Sequence, residues 1–224
     1  MTVTWQILFP TIPHRHPGMC ALLAEIDRQW QPGLGVLLYR DNLRRRGDAS
    51  YAKWQELQEM SQADYTSFIA DDDWIAPDFV ARVMEALEQK PDYVGYAVRV
   101  TRDGSPLPRC EHSLRHPGPW SDTPGLLKRD IVHHNPIRRE LALLATWPTD
   151  HQWADRTWAA QLRDTGRVLS EVWIPEEMYY YQETAASWTR VGSGGLPGPM
   201  PEADIQPLPS YPWLTVVDEC AVEG

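Results

Sequence analysis

The sequence predicts an α/β fold in which a mostly parallel sheet is flanked by helices. Short apolar segments alternate with segments of helical periodicity between residues 3 and 90. Strands that alternate with helices along a chain pair in parallel through crossover connections. In residues 92–106 the apolar side chains alternate instead with polar ones, and the segment closes on Arg-Asp-Gly-Ser. This change predicts an antiparallel strand or hairpin added to the sheet.

The individual elements are predicted from apolar spacing. Continuous apolar or β-branched segments predict strands, and apolar side chains three or four residues apart predict helices. The predicted strands are 3–13, 33–42, 64–70 and 167–175, and the predicted helices are 18–30, 50–62, 77–90, 135–147 and 149–162. Thr149 and Gln152 have the spacing of a capping box at the start of the last helix.

Two regions lack clear periodicity. Residues 102–136 are rich in Pro, Gly and His, and we expect a long loop or a small lobe there, which inside a compact domain is often functional. Residues 192–224 form a Pro/Gly-dense tail that either wraps the domain or lacks order. A single domain is therefore expected over residues 1–191, with two halves that meet near residue 101.

The composition argues against several classes of protein. The chain has 224 residues and a net charge of −10, whereas nonspecific binders of nucleic-acid backbone carry a basic excess. The Arg-rich residues 40–48 are a candidate basic patch, although a solvated loop is favoured there. Cys20, Cys110 and Cys220 do not have the spacing of a zinc or redox site. No apolar run is long enough to span a membrane, so we expect a cytoplasmic protein without membrane insertion.

Three consecutive aspartates, Asp71, Asp72 and Asp73, follow directly on the third predicted strand. Adjacent negative charges repel one another, and ligands of open α/β sheets bind beyond the carboxyl ends of the parallel strands. A hard cation such as Mn²⁺ or Mg²⁺ makes the cluster favourable because it binds carboxylates on one side and phosphates on the other. The alternative is an acidic turn that favours the N-terminus of the next helix. The position at a strand end favours the cation and a nucleotide diphosphate.

Seven short motifs occur in a recognisable order. They are ILFPTIPHR, VLLYRDN, FIADDD, PDYVGY, HSL, HNPIRRELA and WADRTWAAQL, and they lie between residues 4 and 182. This order resembles the family-two glycosyltransferases of the GT-A fold, and most of all the small forms that bacteriophages encode. The resemblance implies a nucleotide-sugar half at residues 1–101 and an acceptor half at residues 102–191.

The resemblance also implies roles for individual residues. Nucleotide binding falls to Thr11, Pro13, Arg15, Asp41, Asp71 and Asp72. In this assignment Asp41 accepts a hydrogen bond from the base, and Asp71 and Asp73 bind the metal ion. Asp155 removes the proton from the acceptor hydroxyl as a general base. His112 and Trp153 are expected on the acceptor side.

Two departures from the family pattern affect these roles. Relatives usually carry Glu-Asp where this chain has Ala154 and Asp155, so the base is retained and a supporting carboxylate is missing. Many relatives supply a late His to the metal, whereas residues 176–182 contain none. Possible substitutes, without a firm assignment, are His112, His133 and His134.

Two further side chains have open assignments. Lys53 fits a phosphate contact and an exposed helix position equally well. Trp153 is a candidate for stacking on a sugar or a base, and Trp158 fits packing in the core better.

The implied activity is a metal-dependent transfer of sugar from a UDP- or GDP-sugar to a hydroxyl group, with inversion expected. The sequence leaves three kinds of acceptor possible, which are a modified base in phage DNA, a glycan and a protein. A DNA acceptor requires a basic groove. The residues that would form it, if they converge, are Arg44–Arg46, Arg115, Arg138 and Arg139.

Three other functions are weighed against this one. A nucleotidyltransferase would normally bring a Gly-rich, basic phosphate loop after the first strand, and FPTIPHRHPG is not such a loop. A non-enzymatic acidic binding module is the second alternative. A phosphatase with an Asp nucleophile requires a Thr or Ser that DDDWIA lacks.

Overall fold

The computed structural model describes residues 2–41, 49–148, 153–183 and 200–220. The strands in these ranges are β1 (Trp5–Thr11), β2 (Leu34–Arg40), β3 (Tyr65–Phe68), β4 (Trp74–Ile75), β5 (Tyr93–Arg102), β6 (Ser105–Pro106), β7 (Arg109–His112), β8 (Ser121–Thr123), β9 (Leu126–Arg129), β10 (Ile137–Arg138), β11 (Glu171–Glu183) and β12 (Leu214–Asp218). The α-helices are α1 (His16–Gln29), α2 (Ala49–Met60), α3 (Phe79–Leu87), α4 (Arg139–Ala142) and α5 (Ala154–Thr165). Short 3₁₀ turns occupy Pro13–Arg15 and Glu202–Asp204.

The strands form one mixed sheet in the order β12-β2-β1-β3-β10-β5-β7-β9-β8. The β12, β2, β1 and β3 strands are all parallel. The short β10 is antiparallel to both β3 and β5 and therefore joins this parallel part to the second half of the sheet. The long β11 runs parallel to β5, with irregular register in its middle, and also pairs with β4. The predicted α/β class, a mostly parallel sheet with an antiparallel addition, is confirmed.

The parallel strands are apolar because helices cover both faces of the sheet. Ile7 and Phe9 on β1 point into a cluster with α1 and α3. Leu8, between them, points to the opposite face and joins a cluster with α2 and α5. Trp158, which we expected in the core, is buried there and stacks on Trp147 with ring centroids 5.0 Å apart.

The helix predicted over residues 135–147 is wrong in its first part. Ile137 pairs with Thr66 and Tyr93 in the sheet, and only the four residues of α4 are helical. The reason is the buried side chain of Asn135, whose Nδ2 donates to the carbonyl oxygen of Val94 at 2.9 Å. This contact holds the segment extended along β5. The apolar residues whose spacing predicted a helix therefore pack against the sheet and do not form one helical face.

Other irregular regions are more ordered than the sequence suggested. The region 102–136 contains β7, β8 and β9, which extend the sheet beyond β5. The late strand, predicted at 167–175, runs from Glu171 to Glu183. Within the predicted tail, β12 pairs along β2 and closes that edge. The capping pair Thr149 and Gln152 lies outside the described residues, as do Arg44–Arg46 and residues 192–199.

Candidate active site

Three predicted site residues meet where the parallel strands end. Thr11 is the last residue of β1, Asp41 follows β2, and Asp71 comes three residues after β3. The register places Thr11 beside Arg40 and Leu8 beside Phe68, so the chain leaves all three strands at the same edge. Pro13 is buried and begins the 3₁₀ turn that carries Arg15 over this edge. Four of the residues predicted for nucleotide binding therefore surround one cleft with Asp71.

Arg15 joins two of the aspartates. Its Nη1 lies 2.5 Å from Asp71 Oδ1 and 3.0 Å from Asp72 Oδ2. Thr11 Oγ1 donates to the other oxygen of Asp71 at 2.6 Å. Gly18 in the first turn of α1 permits this packing, since a Cβ there would lie 2.9 Å from the carbonyl oxygen of Asp71. Asp71 is thus fixed, whereas the Asp72 side chain is 48% exposed.

Asp73 is held by the strand that arrives late in the chain. The Tyr179 hydroxyl donates to Asp73 Oδ2 at 2.7 Å, and the backbone amide of Gln182 donates to Oδ1 at 2.9 Å. The same hydroxyl accepts the amide of Ala70 at 3.2 Å. Sequence reasoning treated residues 176–182 only as a place where a histidine is missing. The alternation of Tyr179 and Tyr181 along a strand was the signal that points both side chains to one face.

The cluster carries excess negative charge. Burial raises the pKa of Asp71 despite the opposing effects of Arg15 and Thr11. Burial, together with the charge of Asp72, raises the pKa of Asp73 to about 7. Both shifts mean that burial of these carboxylates outweighs the hydrogen bonds and the Arg15 charge that favour their ionised forms. A nucleotide diphosphate brought to this edge would add further negative charge.

Asp71 and Asp73 offer oxygen ligands of the kind that hard divalent cations take. Each carboxylate oxygen that accepts one hydrogen bond keeps a second lone pair, and carboxylates that bind metals are themselves hydrogen-bonded by neighbouring groups, as Asp73 is. Among the described residues no three His, Cys, Asp or Glu side chains are arranged to hold an ion. The protein would therefore provide one or two carboxylates, and Mg²⁺ commonly takes its other ligands from phosphates and water.

The cleft contains a buried ion pair at the end of β2, which is called the base end below after the role predicted for Asp41. Lys53 Nζ donates to Asp41 Oδ1 at 2.8 Å and to the carbonyl oxygen of Thr11 at 3.0 Å. Both side chains are about nine-tenths buried or more. The exposed position predicted for Lys53 is wrong, because the side chain is buried and its amine contacts Asp41 and Thr11. The phosphate contact stays a prediction. No described residue donates a hydrogen bond to Asp41 Oδ2, so that oxygen can accept a further one.

The histidines form a buried group behind the aspartates. The ring of His134 stacks on Tyr179 with centroids 4.5 Å apart and lies 3.9 Å from the ring of His133. His112 lies further back, where Nδ1 contacts Asn135 Oδ1 at 2.8 Å. Burial lowers the pKa of His112 to about 3 and that of His134 to about 4. His112, predicted on the acceptor side, is buried instead, because β7 places it between β5 and β9.

The first turn of α5 carries the predicted base. Asp155 Oδ1 accepts the backbone amide of Arg156 at 2.8 Å, and burial raises the pKa of Asp155. Trp153 immediately precedes the helix and is 38% exposed, as a stacking role requires. Its side chain does not cap the helix.

Tyr181 links the two sides of the cleft. Its ring is 38% exposed and lies 6.4 Å from that of His134. Burial raises the pKa of the Tyr181 hydroxyl, and the negative charges of Asp73, Glu183, Asp72 and Asp155 raise it further. Asp155 is therefore close enough to Tyr181 for its charge to act on the phenol, as the aspartates of the cluster do. Tyr181 was not predicted from the sequence.

The basic groove predicted for DNA does not form from its described members. Arg138 and Arg139 bond to the carbonyl oxygens of Lys90 and Glu59, at the amino ends of the strands and opposite the cleft. Arg115 packs on Trp173 near the start of β11. The spacing of arginines along the chain gave no information on which edge of the sheet they occupy.

Solved structures with this architecture exist. The structure of residues 1–349 of S. aureus TarS matches with a TM-score of 0.61 at 10% identity, covering 80% of this chain and 60% of that one. The same fragment in complex with UDP-GlcNAc matches with a TM-score of 0.61 at 10% identity, covering 81% and 59%. The chain has the GT-A fold.

The likeness is one of fold rather than sequence. TarS 1–349 in complex with UDP is 11% identical over 84% of this chain and 63% of that one, with the same TM-score of 0.61. The chain thus spans about three-fifths of these TarS structures. No family model and no curated protein matches the sequence. Within the described part of the chain, no helix combines the length and apolar character that a membrane span requires.

Proposed function

We propose that this protein is a glycosyltransferase that takes its sugar from a nucleotide-diphosphate donor. The observation that carries the proposal is the convergence of Asp41, Arg15 and the three aspartates at the carboxyl ends of β1, β2 and β3. Ligands of open α/β sheets bind at this edge. The fold shared with TarS structures that contain UDP-GlcNAc and UDP supports the same conclusion.

The donor would lie along the strand ends in one orientation. Asp41 Oδ2 would accept a ring N–H of uracil or guanine while Lys53 holds Oδ1. Arg15, which is partly exposed, would turn from Asp72 toward the diphosphate. Thr11 fixes Asp71 near the ribose. The chain's acidic charge is thereby offset where the phosphates bind.

The proposal includes Mn²⁺ or Mg²⁺ held by Asp73 and Asp71. When bound, such an ion supplies positive charge that stabilises the leaving diphosphate. Tyr179 and Gln182 keep the carboxylate of Asp73 in one orientation. His134 supports this arrangement from behind by stacking on Tyr179.

Asp155 is proposed as the base of an inverting reaction. It would take the proton of an acceptor hydroxyl while that oxygen attacks the anomeric carbon and the diphosphate leaves. The raised pKa of Asp155 suits a proton acceptor, because a base accepts a proton more readily when its pKa is closer to neutral pH. Trp153 would contact the acceptor. A modified base in phage DNA is one proposed acceptor, and the reaction would take place in the cytoplasm, that of the host if a bacteriophage encodes the chain.

The test is release of UDP or GDP from a panel of nucleotide sugars, with and without Mn²⁺. Asp73→Asn is expected to abolish the Mn²⁺-dependent release, because a neutral amide is a weak ligand for a hard cation. Asp78→Asn is the matched control, since Asp78 is exposed and its side chain does not cap α3. Full turnover by Asp73→Asn would remove Asp73 from the site.

The same assay separates the alternatives. A nucleotidyltransferase would release pyrophosphate from a nucleoside triphosphate and leave nucleotide sugars unchanged. A non-enzymatic acidic module would bind neither UDP nor GDP in calorimetry, with or without the metal ion.

A further inference from the structure

Arg156 occupies the position next to the proposed base. It is the third residue of α5 and is exposed. Its backbone amide donates to Asp155 Oδ1 at 2.8 Å. The guanidinium of Arg156 is also close enough for its positive charge to lower the pKa of Asp155, against the effect of burial. A group bound by Arg156 would therefore lie beside a hydroxyl bound by Asp155.

Two tryptophans hold the guanidinium of Arg156. Its Cζ lies 4.4 Å from the ring centroid of Trp153 and 5.5 Å from that of Trp120. Trp120 is itself fixed by a hydrogen bond from its Nε1 to the carbonyl oxygen of Ile131 at 3.3 Å. Contact with aromatic faces leaves the N–H edge of a guanidinium free for an anion. The flanking rings also offer flat faces to a sugar, polyol or base.

The charge of Arg156 is not used in an ion pair with any carboxylate of the described ranges. The nearby Arg129, which also faces Trp120 at 5.4 Å, differs in this respect. Arg129 pairs with Asp122 at 2.7 Å and bonds to the carbonyl oxygen of Ser121. Arg129 is thus structural, while Arg156 is an exposed cation without an ion pair among the described residues, in a protein of net charge −10.

We propose that the acceptor carries a phosphate group adjacent to the hydroxyl that receives the sugar, and that Arg156, held between Trp120 and Trp153, binds this phosphate. The planar fork of an arginine matches two phosphate oxygens. The rest of the acceptor unit, a polyol or a nucleoside, packs on the tryptophan faces. Arg156 is a specificity-determining residue, and the inference rests on the proposed glycosyltransferase function.

Binding of model acceptors to the UDP-loaded protein tests this inference. The probes are a short single-stranded oligonucleotide, a glycerol-phosphate oligomer and a neutral oligosaccharide of similar length, titrated by calorimetry. At least one phosphate probe is expected to bind, and the neutral probe is not. Arg156→Gln is expected to weaken binding of the phosphate probe by about 10- to 100-fold, which is the usual contribution of a charged hydrogen bond to affinity. The salt dependence of binding should fall by about one phosphate contact.

Matched variants separate binding from structure. Arg167→Gln removes the same charge from an exposed position beyond the other end of α5 and is expected to leave probe affinity unchanged. Arg156→Lys retains the charge without the fork and is expected to recover part of the affinity. UDP affinity, which depends on the opposite side of the cleft, reports that each variant is folded.

The outcomes are distinct. Binding of the oligonucleotide alone assigns the phosphate to nucleic acid, and binding of the glycerol-phosphate oligomer alone assigns it to a polyol-phosphate polymer. Equal affinity of Arg156→Gln and the unaltered protein, or preferential binding of the neutral probe, overturns the inference while UDP binding and donor turnover keep the proposed function intact. Absence of UDP binding and donor turnover overturns the proposed function itself.

Discussion

Lys53 and Asp41 show how a single buried pair prepares the base end of the cleft. Lys53 orients the carboxylate through one oxygen and ties it to the end of β1 through the carbonyl of Thr11. A carboxylate held in this way loses little conformational freedom when a base binds. In the proposed function, recognition of the nucleotide would therefore depend on a lysine that need not touch it.

Removal of Lys53 alone is expected to be worse than removal of both charges. Lys53→Met leaves Asp41 buried without its partner, and breaking a buried pair in this way costs about 3–5 kcal/mol of unfolding free energy. The double variant Lys53→Met/Asp41→Asn should recover much of that loss in urea denaturation. Equal stability of the single and double variants would show that the two side chains do not interact.

Asp155 provides a test that separates chemistry from donor binding. Asp155→Asn keeps the shape of the side chain but cannot accept a proton, so sugar transfer should fall by about 10²–10⁴-fold. UDP affinity should persist, because the proposed donor contacts come from Asp41 and Arg15 at the ends of β1 and β2 rather than from α5. Near-normal transfer would show that Asp155 is not the general base, and a retaining mechanism would then have to be considered.

The pH dependence of transfer carries the same information. A general base acts when deprotonated, so the rate should fall as the pH drops through the raised pKa of Asp155. That acidic limb should be missing from the residual activity of Asp155→Asn. A limb of the same shape in both proteins would assign it to another group.

At the scale of elements, the segment between β9 and β10 positions a histidine among aromatic rings. His133 lies 4.8 Å from Trp54 and 5.4 Å from Trp147, measured between ring centroids. Its Nδ1 is buried without a hydrogen bond. Burial lowers its pKa well below the usual value. The histidine is therefore neutral in the fold, and it weakens stability where the unfolded chain becomes charged.

We expect His133→Phe to be more stable than the unaltered protein at acidic pH. The ring contacts remain and an unpaired polar atom is removed. Below pH 6.5 the unfolded chain binds a proton at His133 that the fold does not, so stability falls as the pH falls. The substitution should remove about 1.4 kcal/mol per pH unit from that dependence. Urea denaturation between pH 7 and 5 measures it, and parallel curves for the two proteins would contradict the assignment.

The elements differ in how far the sequence determines them. The strands β1, β2 and β3 were predictable because a strand covered on both faces must be continuously apolar. The aspartate cluster was predictable because it follows such a strand directly. Tyr179 was not, since its role depends on a pairing between β11 and β4 that joins residues 106 positions apart. The buried place of Lys53 likewise depends on the position of α2 over β1.

For the whole molecule, the C-terminal β12 completes the sheet beside the base end of the cleft. Arg40, whose side chain is 4% exposed, pairs with Asp218 at 2.6 Å and donates to the carbonyl oxygen of Gln206 at 2.8 Å. The next residue along the chain from Arg40 is Asp41. The strand thus closes an edge and neutralises a buried cation at the same time.

Removal of the Asp218 charge should destabilise the whole fold. Asp218→Asn leaves Arg40 buried without its counter-charge, and the expected cost is about 3–5 kcal/mol. Glu202→Gln, an exposed residue of the same C-terminal region, is the control and should change stability by less than about 0.5 kcal/mol. Unfolding of Asp218→Asn at the same urea concentration as the control would show that Arg40 is satisfied by its other contacts.

The late arrival of β11 and β12 has a consequence for synthesis on the ribosome. The aspartate cluster is translated in the first third of the chain, yet the groups that orient Asp73 come from Tyr179 and Gln182, and the partner of Arg40 comes from Asp218. Pairings between distant segments form slowly because the intervening chain must first be closed. A nascent chain that has exposed only its first half therefore contains the partners of Asp71 but lacks those of Asp73. The arrangement of the aspartate cluster is complete only after β11 has emerged.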